Sequence, residues 1–308
     1  MKYIFKLIRW QNLLMIAIAQ ILIKYALLEP FKDSYGVETA LTPLGVAVLV
    51  LATLCIAAAG YIINDIQDVE ADEINKPKKV IIGNHISEKT ATNLFILFNV
   101  FGVALGYYLA YSINQTGFFA LFVIVSGILY LYSTYLKQLL LLGHVVISFL
   151  VALNLIFVAL FDLLPMVTES NREIQVFFLD LILDYAIFAF MINLFRELIK
   201  SLEDVEGDHK IGVQSLPIVL GRERANKLIF FLGLIPTCLI IGYISSYFFK
   251  QTAVVGYFLV FVVAPLLYVN IKLYTAKTKK EYTLLSTILK GVMFTGMCSL
   301  LLYDLILN

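Results

Sequence analysis

Asn64-Asp65-Ile66-Gln67-Asp68-Val69-Glu70-Ala71-Asp72 follows directly on an apolar run from Leu41 to Ile63. A run of that kind crosses a bilayer as a helix, for which about 20 apolar residues suffice. The acids begin where the apolar run stops. In helical geometry Asp65, Asp68 and Asp72 stand at i, i+3 and i+7, so their carboxylates share one face, with Asn64 four residues before Asp68. Like charges stacked this way repel, which calls for a cation to offset them. A second acidic cluster, Glu203-Asp204-Val205-Glu206-Gly207-Asp208, lies well downstream.

The whole chain fits the membrane reading. It has 308 residues, 61% of them hydrophobic and only 15% charged, with a mean hydropathy of +0.89. That is too apolar for a soluble domain. The net charge of +1 gives no case for nucleic acid. Cys55, Cys238 and Cys298 sit inside apolar runs without metal-ligand spacing and read as packing residues. Lys2, Lys6 and Arg9 precede the first apolar run, and Ala17-Ile18-Ala19 imitates a cleavage site. The apolar stretch before it is short and hydrophobicity continues through Ile23, which favours a retained first span.

Nine spans are expected, at about 10–28, 41–63, 92–112, 117–136, 139–161, 176–200, 225–248, 253–274 and 286–306. The first carries Lys24, and only Lys137-Gln138 separates the fourth from the fifth. No linker or repeat interrupts them, so one membrane domain over 1–308 is the simplest organisation. Lysine and arginine check the count. With nine spans, nineteen of them fall on the side of the N-terminus and four (Lys24, Lys32, Arg172 and Lys250) on the other. This positive-inside bias puts the N-terminus, both acidic clusters and Lys137 at the cytoplasmic face of the cell membrane.

Two carboxylate clusters on one face suit Mg²⁺, a hard cation that takes a carboxylate or two and fills its shell with water and phosphate. The competing reading is acids that merely solvate a membrane edge, and the pairing of clusters weighs against it. Lys76, Lys78 and Lys79 follow the first cluster. They read as phosphate-holding groups, though Lys78 and Lys79 read equally well as residues beside anionic lipid. Arg196, Lys200, Asp204 and Asp208 run at i, i+4, i+8 and i+12, one charged stripe down the end of span six. A self-satisfying ladder of salt bridges is the plain alternative. An arginine so close to an apolar run favours a cavity or a ligand. Tyr130, Tyr132 and Tyr135 read as an interfacial belt, and His209 as a solvated loop histidine. His85 and His144 stand alone and carry no signal.

These residues resemble the UbiA superfamily of intramembrane prenyltransferases. Asn64-Asp65-x-x-Asp68-x-x-x-Asp72 matches its first aspartate-rich motif and Asp204-x-x-x-Asp208 its second. Asp72-Glu73-Ile74-Asn75-Lys76-Pro77, continuing to Gly83 and Ile86-Ser87, is similar to D-x-I-N-R-P followed by G-x-I-S, with Lys76 for arginine. Tyr130 and Tyr132 leading to Lys137 resemble the tyrosine–lysine signature at a different spacing. Gly207-Asp208, Gly212 and Ser215-Leu216-Pro217 follow the downstream G-D…G…T-L-P pattern, and Arg9 and Asn12 resemble the polar positions of the first helix. The resemblance implies an all-α bundle of nine transmembrane helices. It implies Mg²⁺ held by Asn64, Asp68, Asp72, Asp204 and Asp208, the four aspartates being catalytic. Asn12, Asn64, Asp65, Lys76, Lys137 and Arg196 or Lys200 would bind substrate. An isoprenyl diphosphate would ionise to an allylic cation that a small or lipid acceptor attacks in a cavity open to membrane lipids.

The run from Arg196 to Asp208 is most similar to that of geranylgeranylglycerol-phosphate geranylgeranyltransferases, although Ser201 replaces the aspartate usual there and His144 an asparagine. The resemblance thus implies a glycerol-phosphate lipid as acceptor. An aromatic acceptor of the 4-hydroxybenzoate, naphthoate or homogentisate type is the alternative, and a terpene cyclase ranks lower. An ion-coupled transporter would place its carboxylates near the bilayer middle, whereas here they lie at span ends. No protein partner is implied.

Overall fold

Each apolar run becomes a helix, and the polar residues at its ends decide where it starts. Thr42 opens the second span by accepting the Gly45 N–H, with Pro43 in the first turn; Ser87 does the same for the third through Thr90. Thr278 and Glu281 form a reciprocal capping box at the last. The computed structural model describes residues 2–210 and 212–307; the side chain of Lys79 lies outside the described set. Among these residues nine helical segments are long and apolar enough to cross a membrane: α1 (Trp10–Tyr35), α2 (Pro43–Gln67), α3 (Glu88–Ser112), α4 (Thr116–Thr134), α5 (Leu142–Met166), α6 (Arg172–Glu203), α7 (Arg222–Tyr247), α8 (Thr252–Thr275) and α9 (Lys279–Leu307).

The expected count holds and the ends move. Several helices run on into polar sequence: α6 begins at Arg172 and reaches Glu203, and α9 begins at Lys279. Caps carry a helix further than hydropathy does, because they satisfy the terminal N–H groups that the ladder leaves over.

The chain groups into two compact units. One gathers the chain up to Lys137 together with Leu153–Ile182; the other takes Gln138–Ala152 and the chain from Leu183 onward. In the first unit α3 presents Gly102 to Ile56 and Cys55 of α2 and Gly106 to Phe122 of α4, so closely that a Cβ at either glycine would collide. Small residues four apart bring membrane helices together by packing alone. Phe122 also meets Phe157 and Phe161 in a ring cluster. In the second unit Gly233 of α7 takes the same role against Phe195 and Asn270. The Asn270 amide donates to the Gly233 and Leu266 carbonyls at 3.1 and 3.0 Å.

The first unit also buries a charge pair. Lys24 of α1 and Asp162 of α5 meet at 2.9 Å with side-chain exposures of 2% and 0%. Each lies in a π-helical turn, Ile23–Leu28 and Ala159–Leu163, followed closely by Pro30 and Pro165. Lys24 donates further to the Thr39 hydroxyl at 2.9 Å and the Leu41 carbonyl at 3.2 Å, and stands 3.3 Å from Glu29. Asp162 Oδ1 accepts the Leu41 N–H at 2.7 Å. Next to it a cavity of about 240 Å³ is lined by Lys24, Glu29, Lys32 and Thr39.

Candidate active site

In the first unit, α2 closes at Gln67 and a short helix, Val69–Asn75, follows, with Asp68 as the joint at φ −96°, ψ 2°. The aspartate motif is therefore shared by two helices, where an unbroken one is expected. The i→i−4 ladder survives the joint: the N–H groups of Asp68, Asp72 and Lys76 bond to the carbonyls of Asn64, Asp68 and Asp72 at 2.9, 2.8 and 2.7 Å.

The expected offsetting cations are present, one for each of the first two acids. Asp68 Oδ1 accepts Lys137 Nζ at 2.5 Å, and Asp68 Oδ2 accepts the Asn64 amide at 2.6 Å. Lys137 comes from the short turn after α4 and is 12% exposed. Asp65 Oδ1 accepts Arg9 Nη2 at 2.7 Å, and the same guanidinium lies 5.0 Å over the Tyr61 ring. Asp72 is half-buried. Burial pushes its carboxyl above the ordinary carboxylate range, and the nearby charge of Lys76 acts in the opposite direction. Asn12, half-buried, stands one turn into α1, its N–H on the Arg9 carbonyl at 2.7 Å. Lys78 is exposed.

Arg9 is reached through an N-terminal helix, Lys2–Leu7. Leu7 is fully buried in a cluster with Ile62, Ile82 and Ala91, and Tyr3 stacks on His85 with centroids 3.9 Å apart. Arg9 itself is left-handed, φ 50° and ψ 54°, which costs a non-glycine residue about 1–2 kcal/mol. The ion pair and the ring contact hold it there. Arg9→Gly removes both contacts and relieves the strain. The lost pair is partly exposed and is worth at most about 1 kcal/mol. The midpoint of thermal unfolding is therefore expected to stay nearly constant while kcat falls roughly tenfold or more, because Asp65 loses its orienting partner. A variant with undiminished kcat would detach Arg9 from the site.

In the second unit, α6 ends at Glu203 and the short helix Val205–Lys210 carries on, the Asp204 and Asp208 N–H groups bonding to the Lys200 and Asp204 carbonyls at 3.0 and 3.1 Å. Both cations of the charged stripe also meet an acid that lies off it. Arg196 Nη1 donates to Glu197 at 2.7 Å and Lys200 Nζ to Glu197 at 2.8 Å. Glu197 is not among the residues that the sequence singles out, although it stands at i+3 spacing to Lys200. Ser201, which replaces an aspartate of the resembling subgroup, is buried, and its hydroxyl donates to the Leu198 carbonyl at 2.7 Å. Its proton is spent on its own helix. Gly207 is buried and His209 exposed. Tyr130 and Tyr135 are exposed and Tyr132 half-buried, as a belt at a span end would have them.

The donor set of each motif is oxygen throughout, carboxylates with one amide, which is the chemistry of Mg²⁺. Among the described residues no three His, Cys, Asp or Glu side chains are gathered into a ready cage. Mg²⁺ does not require one, since it keeps waters and takes substrate phosphate oxygens. The acids of the first motif draw on Arg9, Lys137 and Lys76 for positive charge, so they fit a cation.

The profile of the UbiA prenyltransferase family matches residues 35–294. A digeranylgeranylglyceryl phosphate synthase of Korarchaeum cryptofilum is 30% identical over 261 residues, 82% of this chain and 85% of that protein. A solved structure concerned with digeranylgeranylglyceryl phosphate synthase in membranes superposes with a TM-score of 0.62 at 22% identity, covering 97% of this chain and 98% of that one. The structure of a UbiA homologue from Archaeoglobus fulgidus bound to DMAPP and Mg²⁺ gives 0.53 at 18% identity, over 97% and 99% of the two chains.

Proposed function

Because the chain belongs to the UbiA prenyltransferase family, we propose that it transfers an isoprenyl group from an allylic diphosphate to the hydroxyl of a glyceryl phosphate lipid. The observation that carries the acceptor is the match, over most of the chain, to a protein named digeranylgeranylglyceryl phosphate synthase. The protein is a prenyltransferase and an integral, multi-pass membrane protein. In the reaction the acceptor oxygen forms the ether bond to the allylic carbon. The carbon–oxygen bond to the diphosphate breaks with its electron pair leaving on the diphosphate, and the hydroxyl proton is released.

Asn64, Asp68, Asp72, Asp204 and Asp208 would hold Mg²⁺, as their oxygen donors and the Mg²⁺-bound relative support. When bound, the ion offsets the charge of the departing diphosphate. Lys137, paired with Asp68, and Lys76, beside Asp72, meet the diphosphate. Asn12 and Asp65 line the donor, Asp65 being set by Arg9. The excess of lysine and arginine on the N-terminal side supports a cytoplasmic face of the cell membrane for this chemistry. The family profile, which runs through both compact units, supports one functional domain.

The test is the purified chain in lipid nanodiscs with Mg²⁺, geranylgeranyl diphosphate and a panel of acceptors, products read by mass. A prenylated glyceryl phosphate lipid is expected, with turnover lost on chelation and restored by Mg²⁺. Prenylation of an aromatic acid in its place, or turnover indifferent to chelation, would overturn the reading.

A further inference from the structure

One acid organises the cationic end of α6. Glu197 accepts from Arg196 Nη1 on one side and from Lys200 Nζ on the other, and at 13% exposure it is less open than Arg196 at 20% or Lys200 at 30%. The cations thus form the lip and the acid the floor. Only one edge of the Arg196 guanidinium is occupied in this way. Its Nε–H, which points along the opposite edge, is buried and meets no acceptor among the described residues. His144, at the start of α5, lies within the fields of Glu197 and Lys200, and its Nδ1 is likewise buried without a partner. A buried donor left unsatisfied is costly, so the Arg196 Nε–H marks a place where an acceptor belongs.

The chemistry of that acceptor follows from charge and shape. Arg196 and Lys200 against Glu197 leave one net positive charge. A phosphate monoester carries roughly −1.5 to −2, the larger part of which this cluster can offset without a metal; a diphosphate carries more. The Nε edge of a guanidinium presents parallel N–H groups that match two oxygens of one phosphate, which a lysine cannot do. Arg196 and Lys200 stand eight and four residues before Asp204, roughly 12 and 6 Å along the helix, and so deeper in the span than the acids.

We infer that Arg196, Lys200 and His144 seat the phosphate monoester of the acceptor, with Glu197 as the internal acid that holds the two cations ready for it. This rests on the reading of the acceptor as a glyceryl phosphate lipid, and makes the enzyme selective for the phosphorylated acceptor over the free alcohol.

The test uses the full chain in nanodiscs, as wild type, Arg196→Lys and Glu197→Gln. Arg196→Lys keeps the charge and loses the fork. The KM for geranylgeranylglyceryl phosphate is expected to rise about tenfold, the equivalent of one charge-assisted hydrogen bond, and the preference over the dephosphorylated lipid to shrink in step. The KM for geranylgeranyl diphosphate stays within about twofold of wild type. Glu197→Gln removes the competing acid, so soluble glycerol phosphate inhibits several-fold more strongly, a gain that a damaged fold does not produce. Parallel rises in both KM values would give the cluster to the diphosphate and overturn the inference. So would an unmoved acceptor KM, or unchanged inhibition in Glu197→Gln, either of which would leave a structural ion triad. If wild type prenylates only aromatic acids, the proposed function fails by itself. Calorimetric titration with glycerol phosphate then decides the cluster, since binding by wild type that Arg196→Lys loses supports a phosphate seat and no binding rejects it.

Discussion

Asp68→Ala is expected to lower kcat by about three orders of magnitude, while the protein still inserts and unfolds near the wild-type temperature. Asp68 occupies the joint between α2 and the helix that follows it, where its two oxygens serve different partners, Lys137 on one and Asn64 on the other. Its loss removes a proposed metal ligand and the acid that aims Lys137. Loss of a single preorganised electrostatic group costs about 10²–10³ in kcat, and here two functions fall together. Asp68→Asn keeps the shape and most of the hydrogen bonding but not the charge, so it should lose nearly as much if charge is what matters. Single-turnover rates across a Mg²⁺ titration separate weakened metal binding, which excess Mg²⁺ partly restores, from lost orientation of Lys137, which it does not. Undiminished turnover by a folded Asp68→Ala protein would remove Asp68 from the site.

The largest effect on stability is expected at the opposite kind of residue, one that belongs to neither aspartate motif. Lys24→Met leaves Asp162 fully buried among apolar side chains with its cation gone. Breaking such a pair from one side costs about 3–5 kcal/mol, because the remaining charge has lost both water and partner. Asp162→Leu should do less damage, since Lys24 keeps Glu29, the Thr39 hydroxyl and the Leu41 carbonyl. The double variant Lys24→Met with Asp162→Leu strands no ion and should recover most of the loss, since replacing both partners of a buried pair by apolar groups is often neutral or better. Thermal unfolding of the three variants in one detergent checks this. Single variants as stable as wild type, or a double variant as damaged as the worse single one, would show that the pair contributes little.

These two sites differ in how far they could be read from the sequence. The motif around Asp68 was legible because its residue types and spacing are unusual directly after an apolar run, and the lysine and arginine asymmetry placed it at a membrane face. The joint at Asp68 was not, because the i→i−4 bonds persist on both sides of it and no glycine or proline marks the break. Arg9 was noted for its place before the first span, but its partner Asp65 is 56 residues away, and only tertiary packing of Leu7 and Tyr3 brings the two together. Glu197 stands between Arg196 and Lys200, off the stripe that an i+4 spacing traces. The pair in the membrane was the least legible. In the sequence Lys24 is a lone charge in the first span, and nothing in the spacing around Asp162 ties the two together. Their meeting depends on π-helical turns, whose trace in the sequence is a proline a few residues on.

That pairing also sets a timetable for making the protein. Lys24 leaves the ribosome in the first span, but Asp162 follows only in the fifth. At roughly 5–20 residues per second the wait is on the order of ten seconds. During it the nascent first span must enter lipid carrying an ammonium whose permanent partner has not been synthesised. Glu29, five residues further along the same segment and 3.3 Å from Lys24 in the finished fold, is made almost at once and can shelter the charge. The first span is thus a provisional insertion, secured when the fifth arrives.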